Sequence, residues 1–440
     1  MRDIYASAAQ VIIWLGEGDE ESDLTFDALP VIADNGSFFL TLVDRRAWFN
    51  RVWILQELAM ARNDPIVICG WKHAPWSTFF AAWNLIADDL LAPLGIRPQT
   101  FDAGSDDSDA GPRTERLSLT KLDILNSLRQ TIQTRGGENH RRLLMISRAS
   151  EATDPRDRIY GLLGLLDGDS TDPTKCFVIN VDYRRDCSEV YADAMAHFFS
   201  KGEGLDFLSG LFLPGATSAV PAIPSFPSFP SNNDRRYLSS WVPDFSRQIA
   251  GKAAHPTSMA FRPPTTMSAS GVGQDAKNGK VLEDRLTQQV EGLVVNTIDN
   301  IVPFGSSIDA VIDKVQGKRT ALAHTRFQHE QDHMAGIHSD NRDRPAFKIS
   351  LRSCIGLKSF FTTKSGFVGT CIPSACEGDI IAIIFGSPAA FVLRSITRIE
   401  GQQQAYSLIG AAYIGGVMDG KMVDELYCKD LMDSTTFFIR

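Results

Sequence analysis

The sequence predicts an α/β N-terminal part followed by a β-rich C-terminal region, and three observations carry that reading. Two short, continuously apolar segments, VIIWL at 11–15 and IVIC at 66–69, stand among helical stretches. Such runs are typical of strands buried on both faces in a parallel sheet. Between them lies WFNRVWILQELAMAR at 48–62, in which 52–61 is apolar apart from Gln56 and Glu57. Apolar residues fall all around that helix, so it is expected in a core. From about residue 360 onward, FFTT, GFVGT, GDIIAIIFG, AFVLRSI and AYSLIGAAYIGG follow at close spacing, divided by Gly, Pro and Ser. That pattern is an antiparallel meander able to close into a small barrel.

Taken in order, residues 1–10 carry a helical apolar stripe (Met1, Ile4, Tyr5, Ala8, Ala9) with no capping residue before it. Strand 11–15 ends at Gly16 and runs into the acidic turn 17–23. Helices are expected at 24–33 and 38–45, followed by the central helix 48–62, for which Asn50 is the candidate cap. A helix over 76–91 follows the strand at 66–69, and the acidic stretch 92–116 reads as a surface insertion. Amphipathic helices at about 117–133 and 139–150 lead to TDPRDRIYGLLGLL at 153–166. There Asp154 suits an N-cap, Pro155 the first helical position and Asp157 the first turn. Ile159, Leu162, Leu163 and Leu166 supply the apolar stripe, while Gly161 and Gly164 imply a close-packed neighbour. A strand is expected at 178–183, a helix at 186–201 and a Pro/Ser-rich linker at 214–233. Residues 241–245, WVPDF, form an apolar anchor, 251–279 reads as loop, 290–302 as strand and 306–325 as helix.

The composition excludes several functions. A net charge of −9 argues against nucleic acid or an anionic membrane as the main partner. No apolar run reaches the ~18 residues of a membrane span. Seven cysteines without a CxxC pair fit a reducing compartment, and no secretory pattern opens the chain. The expected location is the cytoplasm.

A carboxylate and an amide in an apolar helix require partners. Glu57 is therefore expected to meet an arginine, either Arg156 or Arg158. It is either half of a structural ion pair or a functional carboxylate in a cleft. The sequence HEQDH at 329–333 is a literal HExxH, which on a helix would offer His329 and His333 to zinc with Glu330 as base. Its third histidine, His338, falls one position early, and the setting is polar, so a solvated loop is the preferred reading. GVGQDA at 271–276 lacks a preceding strand and reads as a flexible loop. Cys371 and Cys376 read as free thiols. No motif calls for a cofactor.

Three blocks in this order, MRDIYASAAQVIIWLGE, RRAWFNRVWILQELAMAR and ATDPRDRIYGLLGL, resemble the heterokaryon-incompatibility (HET) domain of filamentous fungi. VDYRRDCSEVYADA, SWVPDF and the β-rich tail resemble the C-terminal region of such proteins. The positions carrying the match are Trp48, Phe49, Arg51, Trp53, Gln56, Glu57, Asp154, Pro155, Arg156, Asp157, Tyr160 and Gly161. The resemblance implies a module of fungal nonself recognition and programmed cell death that acts through protein partners or self-association. It also implies a distantly TIR-like parallel sheet with helices. Some TIR domains hydrolyse NAD through a glutamate, which makes Glu57 a weak catalytic candidate. Upstream blocks resembling YxxLSYxWG and WIDxxCINQ are absent, so residues 1–166 are expected to be a partial, N-terminally truncated HET domain. Residues 167–213 would continue it helically, 214–285 would form linker and loops, and 286–440 the β-rich region.

Overall fold

The computed structural model describes residues 2–29, 36–91, 121–138, 140–147, 150–166, 179–200, 204–209, 238–245, 269–270, 280–282, 286–303, 306, 359–396, 403–414, 417–418, 420–428 and 433–440. The chain divides into one unit of Met1–Tyr183 with Phe245–Ser258, and another of Arg184–Asp244 with Met259–Arg440.

The first unit opens with α1 (Arg2–Ser7) and β1 (Ile12–Trp14). Helix α2 (Glu20–Ala28) starts earlier than its apolar stripe predicts. Asp19 caps it: its Oδ1 accepts from the Ser22 backbone N–H at 2.7 Å, while Ser22 Oγ accepts from the Asp19 N–H at 2.8 Å. Then come α3 (Gly36–Arg45), a 3₁₀ turn (Ala47–Asn50), α4 (Ile54–Ala59), β2 (Ile66–Cys69), β3 (Lys72–Pro75), α5 (Trp76–Leu91), α6 (Lys121–Arg135) and α7 (His140–Ser147). The unit's last described elements are α8 (Asp157–Tyr160) and a 3₁₀ turn (Leu163–Leu165).

Its sheet has the order β1-β2-β3, with β1 parallel and β3 antiparallel to β2. The expectation that β1 is buried on both faces is corrected here. Ile13 is fully buried beside Val67 and Ala74, but Ile12 is 60% and Trp14 49% exposed. A strand's side chains alternate between faces, and only one face of this sheet is fully covered; on the other, Ile66 and Ile68 are half-buried.

The central stretch 48–62 is also not one helix. At Arg51 the chain turns extended (φ −79°, ψ 141°) and bridges Glu151. The Val52 N–H donates to the Glu151 carbonyl at 2.8 Å, and the Glu151 N–H donates to the Asn50 carbonyl. Backbone groups that a continuous helix would use internally are spent on the neighbouring segment. The N-cap position of α4 is Trp53 and not Asn50, and that position has no side-chain cap. The stretch 153–166 breaks in a similar way. Asp154 Oδ1 accepts from the Arg156 N–H two residues on (2.9 Å), which makes a local turn that competes with helix. The expected strand at 178–183 has no ladder among its described residues, 179–183, which run as irregular backbone.

The second unit contains α9 (Cys187–Ser200), α10 (Gly204–Ser209), the short β4 (Lys280–Val281), β5 (Gln288–Val302), β6 (Ser359–Thr363), β7 (Val368–Cys371), β8 (Ile380–Ile384), β9 (Ala390–Ser395), β10 (Ala405–Ile414), α11 (Lys421–Cys428) and β11 (Thr435–Ile439). Strands β5, β6, β7, β10, β9 and β8 pair in that cyclic order, each antiparallel to the next, and β8 returns to β5. The meander thus closes into a barrel, which leaves these strands without a free edge. Side chains fill the interior, among them Phe361, Ile381, Ile383, Val392 and Ile414, with Val423 of α11 in the same cluster. Gly369 is forced by this packing: a Cβ there would stand 2.1 Å from the Tyr413 carbonyl and 2.6 Å from the Phe361 ring. The turn before β8 is held by an ion pair. Arg394 Nε and Nη2 each donate to Asp379 at 2.9 Å, and Asp379 also accepts from the Cys376 N–H at 2.8 Å. In the segment 241–245 the Trp241 indole is fully buried, and its N–H donates to the Leu286 carbonyl at 3.0 Å.

The zinc candidates His329 and His333, the loop 271–276, the insertion 92–116 and the linker 214–233 lie outside the described residues. Only Ser306 of the expected helix 306–325 is described.

Candidate functional site

The candidate site is the meeting of 48–61 with 151–166 in the first unit, where the motif positions gather. Trp48 and Phe49 are buried side by side, their rings edge to face at 5.1 Å. They join Trp76 and Phe79, with Phe49 stacked on Phe79 at 6.1 Å. This aromatic cluster fixes the Trp48 indole so that its N–H donates to Glu57 Oε2 at 2.9 Å. Tyr5 of α1 faces the same carboxylate. Burial first, then the Glu57 charge and a hydrogen bond to it, push the Tyr5 hydroxyl up to about 12.

The expected arginine partner of Glu57 is a further correction. Arg156 binds Asp154, with Nη2 to Oδ2 at 2.7 Å, and Arg158 Nη1 donates to the Ser147 carbonyl at 2.6 Å. Glu57 is half-buried and is met by two neutral donors, the Trp48 indole and the Tyr5 hydroxyl, with the Arg51 charge also acting on Tyr5.

The two blocks do meet, but through other residues. Gln56, 2% exposed, donates from Nε2 to the Gly161 carbonyl at 2.7 Å, while its Oε1 is buried without a partner. The Trp53 indole N–H donates to Asp157 Oδ2 at 3.0 Å. Gly164 permits the approach: a Cβ there would lie 2.9 Å from Gln56 Oε1 and 2.9 Å from the Arg2 Cβ. The close neighbour implied by Gly164 is therefore Gln56 itself.

Around Asp157 the surface side of this joint is polar and aromatic. Tyr183 Oη donates to Asp157 Oδ1 at 2.7 Å, and its ring packs edge to face on Tyr160 at 5.2 Å. The Arg156 guanidinium lies over the Tyr183 ring, 5.3 Å from its centroid, and donates to the Tyr183 carbonyl. Tyr160 Oη donates to the Asp182 carbonyl at 3.1 Å. Burial, and next the hydrogen bond to Asp157, raise the Tyr183 hydroxyl above its usual range; the Arg156 hydrogen bond holds Asp154 below the usual carboxylate range. Pro155 precedes α8, and Arg51 sits exposed at the bridge to Glu151.

One important residue lies outside every motif. Arg129 of α6, 8% exposed, donates from Nη1 to the carbonyls of Leu58 (2.8 Å) and Ala61 (2.6 Å), and from Nη2 to that of Asn63 (3.0 Å). It caps the C-terminus of α4, where helix carbonyls lack internal partners. An arginine does answer the central helix, through its carbonyls. Within KLDILNSLRQTIQTR, Arg129 looks like any polar residue of a helix; only its i−1 and i+3 leucine and isoleucine neighbours place it near the buried stripe.

Chemically, the site is a joint: its carboxylates, indoles and arginine are turned toward one another. Among the described residues no group of three or more His, Cys, Asp or Glu could hold a metal ion.

Residues 306–432 match the family model of the Het-6 beta-barrel domain. This segment contains β6 to β10 and α11, while β5 and β11, which also pair into the same sheet, lie outside it. No solved structure gives a significant match. The chain is 23% identical to heterokaryon incompatibility protein 6, OR allele, of Neurospora crassa, in an alignment covering 98% of this chain and 79% of that protein. Both comparisons show a chain similar to fungal heterokaryon incompatibility proteins.

Proposed function

We propose that the chain is a HET-type protein of fungal nonself recognition, which signals growth arrest and cell death through protein contacts in the cytoplasm. The observation that supports this best is the joint itself. The HET-like blocks converge on one interlocked core, in which Gln56, Trp53, Asp157 and Gly161 bind one another across a sequence separation of about a hundred residues. The likeness to heterokaryon incompatibility protein 6 runs across both units.

In this reading Glu57 anchors the Trp48 indole and the α1 helix, and the first unit retains the distant TIR-like ancestry in its parallel β1–β2 pair. The test is genetic. Two fungal strains differing only at this locus are allowed to fuse, and viability of the fused compartments is scored by a vital dye. Death of the fused cells, lost with Gln56→Glu, is the expected result. Healthy fused cells in every allelic combination would sink the proposal. Glu57→Gln, which keeps an oxygen for Trp48, should leave the response intact. Its loss in a stably folded Glu57→Gln protein would instead favour an enzyme that needs the carboxylate, and NAD consumption by the purified chain would be the next measurement.

A further inference from the structure

One face of the sheet in the first unit is only partly covered: Ile12, Trp14, His73 and Pro75 on its outer strands are exposed, while Ile66 and Ile68 on the central strand are half-buried. In register across the three strands, Ile12, Ile66 and Pro75 form one row on this face, and Trp14, Ile68 and His73 form the next. The opposite face, with Ile13, Val67 and Ala74, is buried. Five of the six open-face residues are apolar and none carries a fixed charge. Ile12 is 60% exposed and Trp14 49% exposed, and Trp71, at the tip of the β2–β3 hairpin, is 99% exposed. Parallel strands are normally covered on both faces, because their side chains are apolar on both. An open apolar sheet face of this kind marks a binding surface.

We propose that this face is a self-association surface, occupied by the same face of a second copy of the chain. The area available is enough for a second copy. With a tryptophan side chain carrying on the order of 250 Å², the six positions offer roughly 450 Å² per copy. Trp71 laid against the partner adds roughly 250 Å² more. Two copies then bury about 1,400 Å², inside the ~1,200–2,000 Å² of a specific interface. Without Trp71 the pair falls to about 900 Å², in the range of transient contacts. The absence of fixed charge lets the face meet itself across a twofold axis without desolvating a like-charged pair. The two sheets would stack about 10 Å apart, as packed sheets do. Trp14 is then the central anchor, since tryptophan dominates interface energetics.

This inference gives the assembly in the proposed function a surface, and rests on that reading for its biological meaning alone. The experiment is sedimentation velocity on the purified chain at rising concentration. The wild type should shift from monomer toward dimer; Ile12→Lys and Trp14→Glu should each stay monomeric, and Trp71→Ala should weaken association about tenfold or more. Leu85→Glu, at an exposed position on α5, should associate like the wild type. Unchanged circular dichroism shows that the variants fold, as expected for substitutions at exposed positions. A wild type that stays monomeric at every concentration overturns the proposal, as does a dimer indifferent to Ile12→Lys and Trp14→Glu. The cell-death assay is read separately: a strictly monomeric Trp14→Glu chain that still kills would refute signalling by assembly and leave the surface standing.

Discussion

Gln56 provides the sharpest test of the joint between the two motif blocks. Its amide does opposite things at its two ends: Nε2 satisfies the Gly161 carbonyl at 2.7 Å, and Oε1 is buried without a partner. Gln56→Ala leaves the Gly161 carbonyl orphaned and opens a cavity beside Gly164, so it should destabilise the first unit by about 3 kcal/mol. Gln56→Leu also orphans that carbonyl. It refills the volume, however, and removes the buried Oε1, whose desolvation costs about 1–3 kcal/mol. The leucine variant should therefore lie within about 1 kcal/mol of the wild type and roughly 2 kcal/mol above the alanine variant. The assay is urea unfolding followed by tryptophan fluorescence. Six of the seven tryptophans (14, 48, 53, 71, 76 and 83) lie in the first unit and only Trp241 in the second, so the signal reports the unit in question. A leucine variant as damaged as the alanine variant would refute the reasoning, because the amide's hydrogen bonding would then outweigh its volume. Two variants both indistinguishable from the wild type would refute Gln56 as a joint at all.

Three further outcomes follow from the same geometry. Arg129→Met strips the cap from the Leu58, Ala61 and Asn63 carbonyls, and among the described residues only Ala61 retains another side-chain donor, Gln133. A loss of about 3 kcal/mol is expected by the same fluorescence-detected unfolding. Tyr5 is raised from 10.0 to about 12 in the folded chain, so between those values the folded state binds a proton that the unfolded state has released. Stability should fall as pH rises through that window, and Tyr5→Phe should remove that part of the fall, with the tyrosinate absorbance of Tyr5 appearing late in a pH titration. In the second unit, Asp379→Ala leaves the Cys376 N–H and the Arg394 guanidinium without their carboxylate. It should lower barrel stability by about 2 kcal/mol, measured by circular dichroism in denaturant.

Much of the local structure was legible because local pattern decided it. The helix at 76–91 agrees with its prediction residue for residue, since a long stripe with Phe79, Trp83 and Ile86 on one face leaves no rival period. The β runs of the tail were legible because each is bounded by Gly, Pro or Ser, and their regular spacing allowed a barrel. Its closure by β5, which follows β6 in space but precedes it by more than fifty residues in sequence, was not visible. The central block was legible as a core but not in form. Whether 48–62 is one helix depends on the backbone of 50–52, and Glu151 captures that backbone from a distant segment.

The sequence by itself determined which residues are apolar, where turns must fall and which blocks look HET-like. Tertiary structure alone decided the partners. It gave Gln56 and Trp53, and not Glu57, to the DPRDRIYG segment, and it brought Arg129 to the end of α4. It also left Ile12 and Trp14 in water on a strand whose composition reads as buried on both sides. The physical reason is the same in each case. Hydrophobic periodicity is a property of neighbours along the chain, whereas hydrogen-bond satisfaction and the covering of a sheet face depend on what arrives from elsewhere.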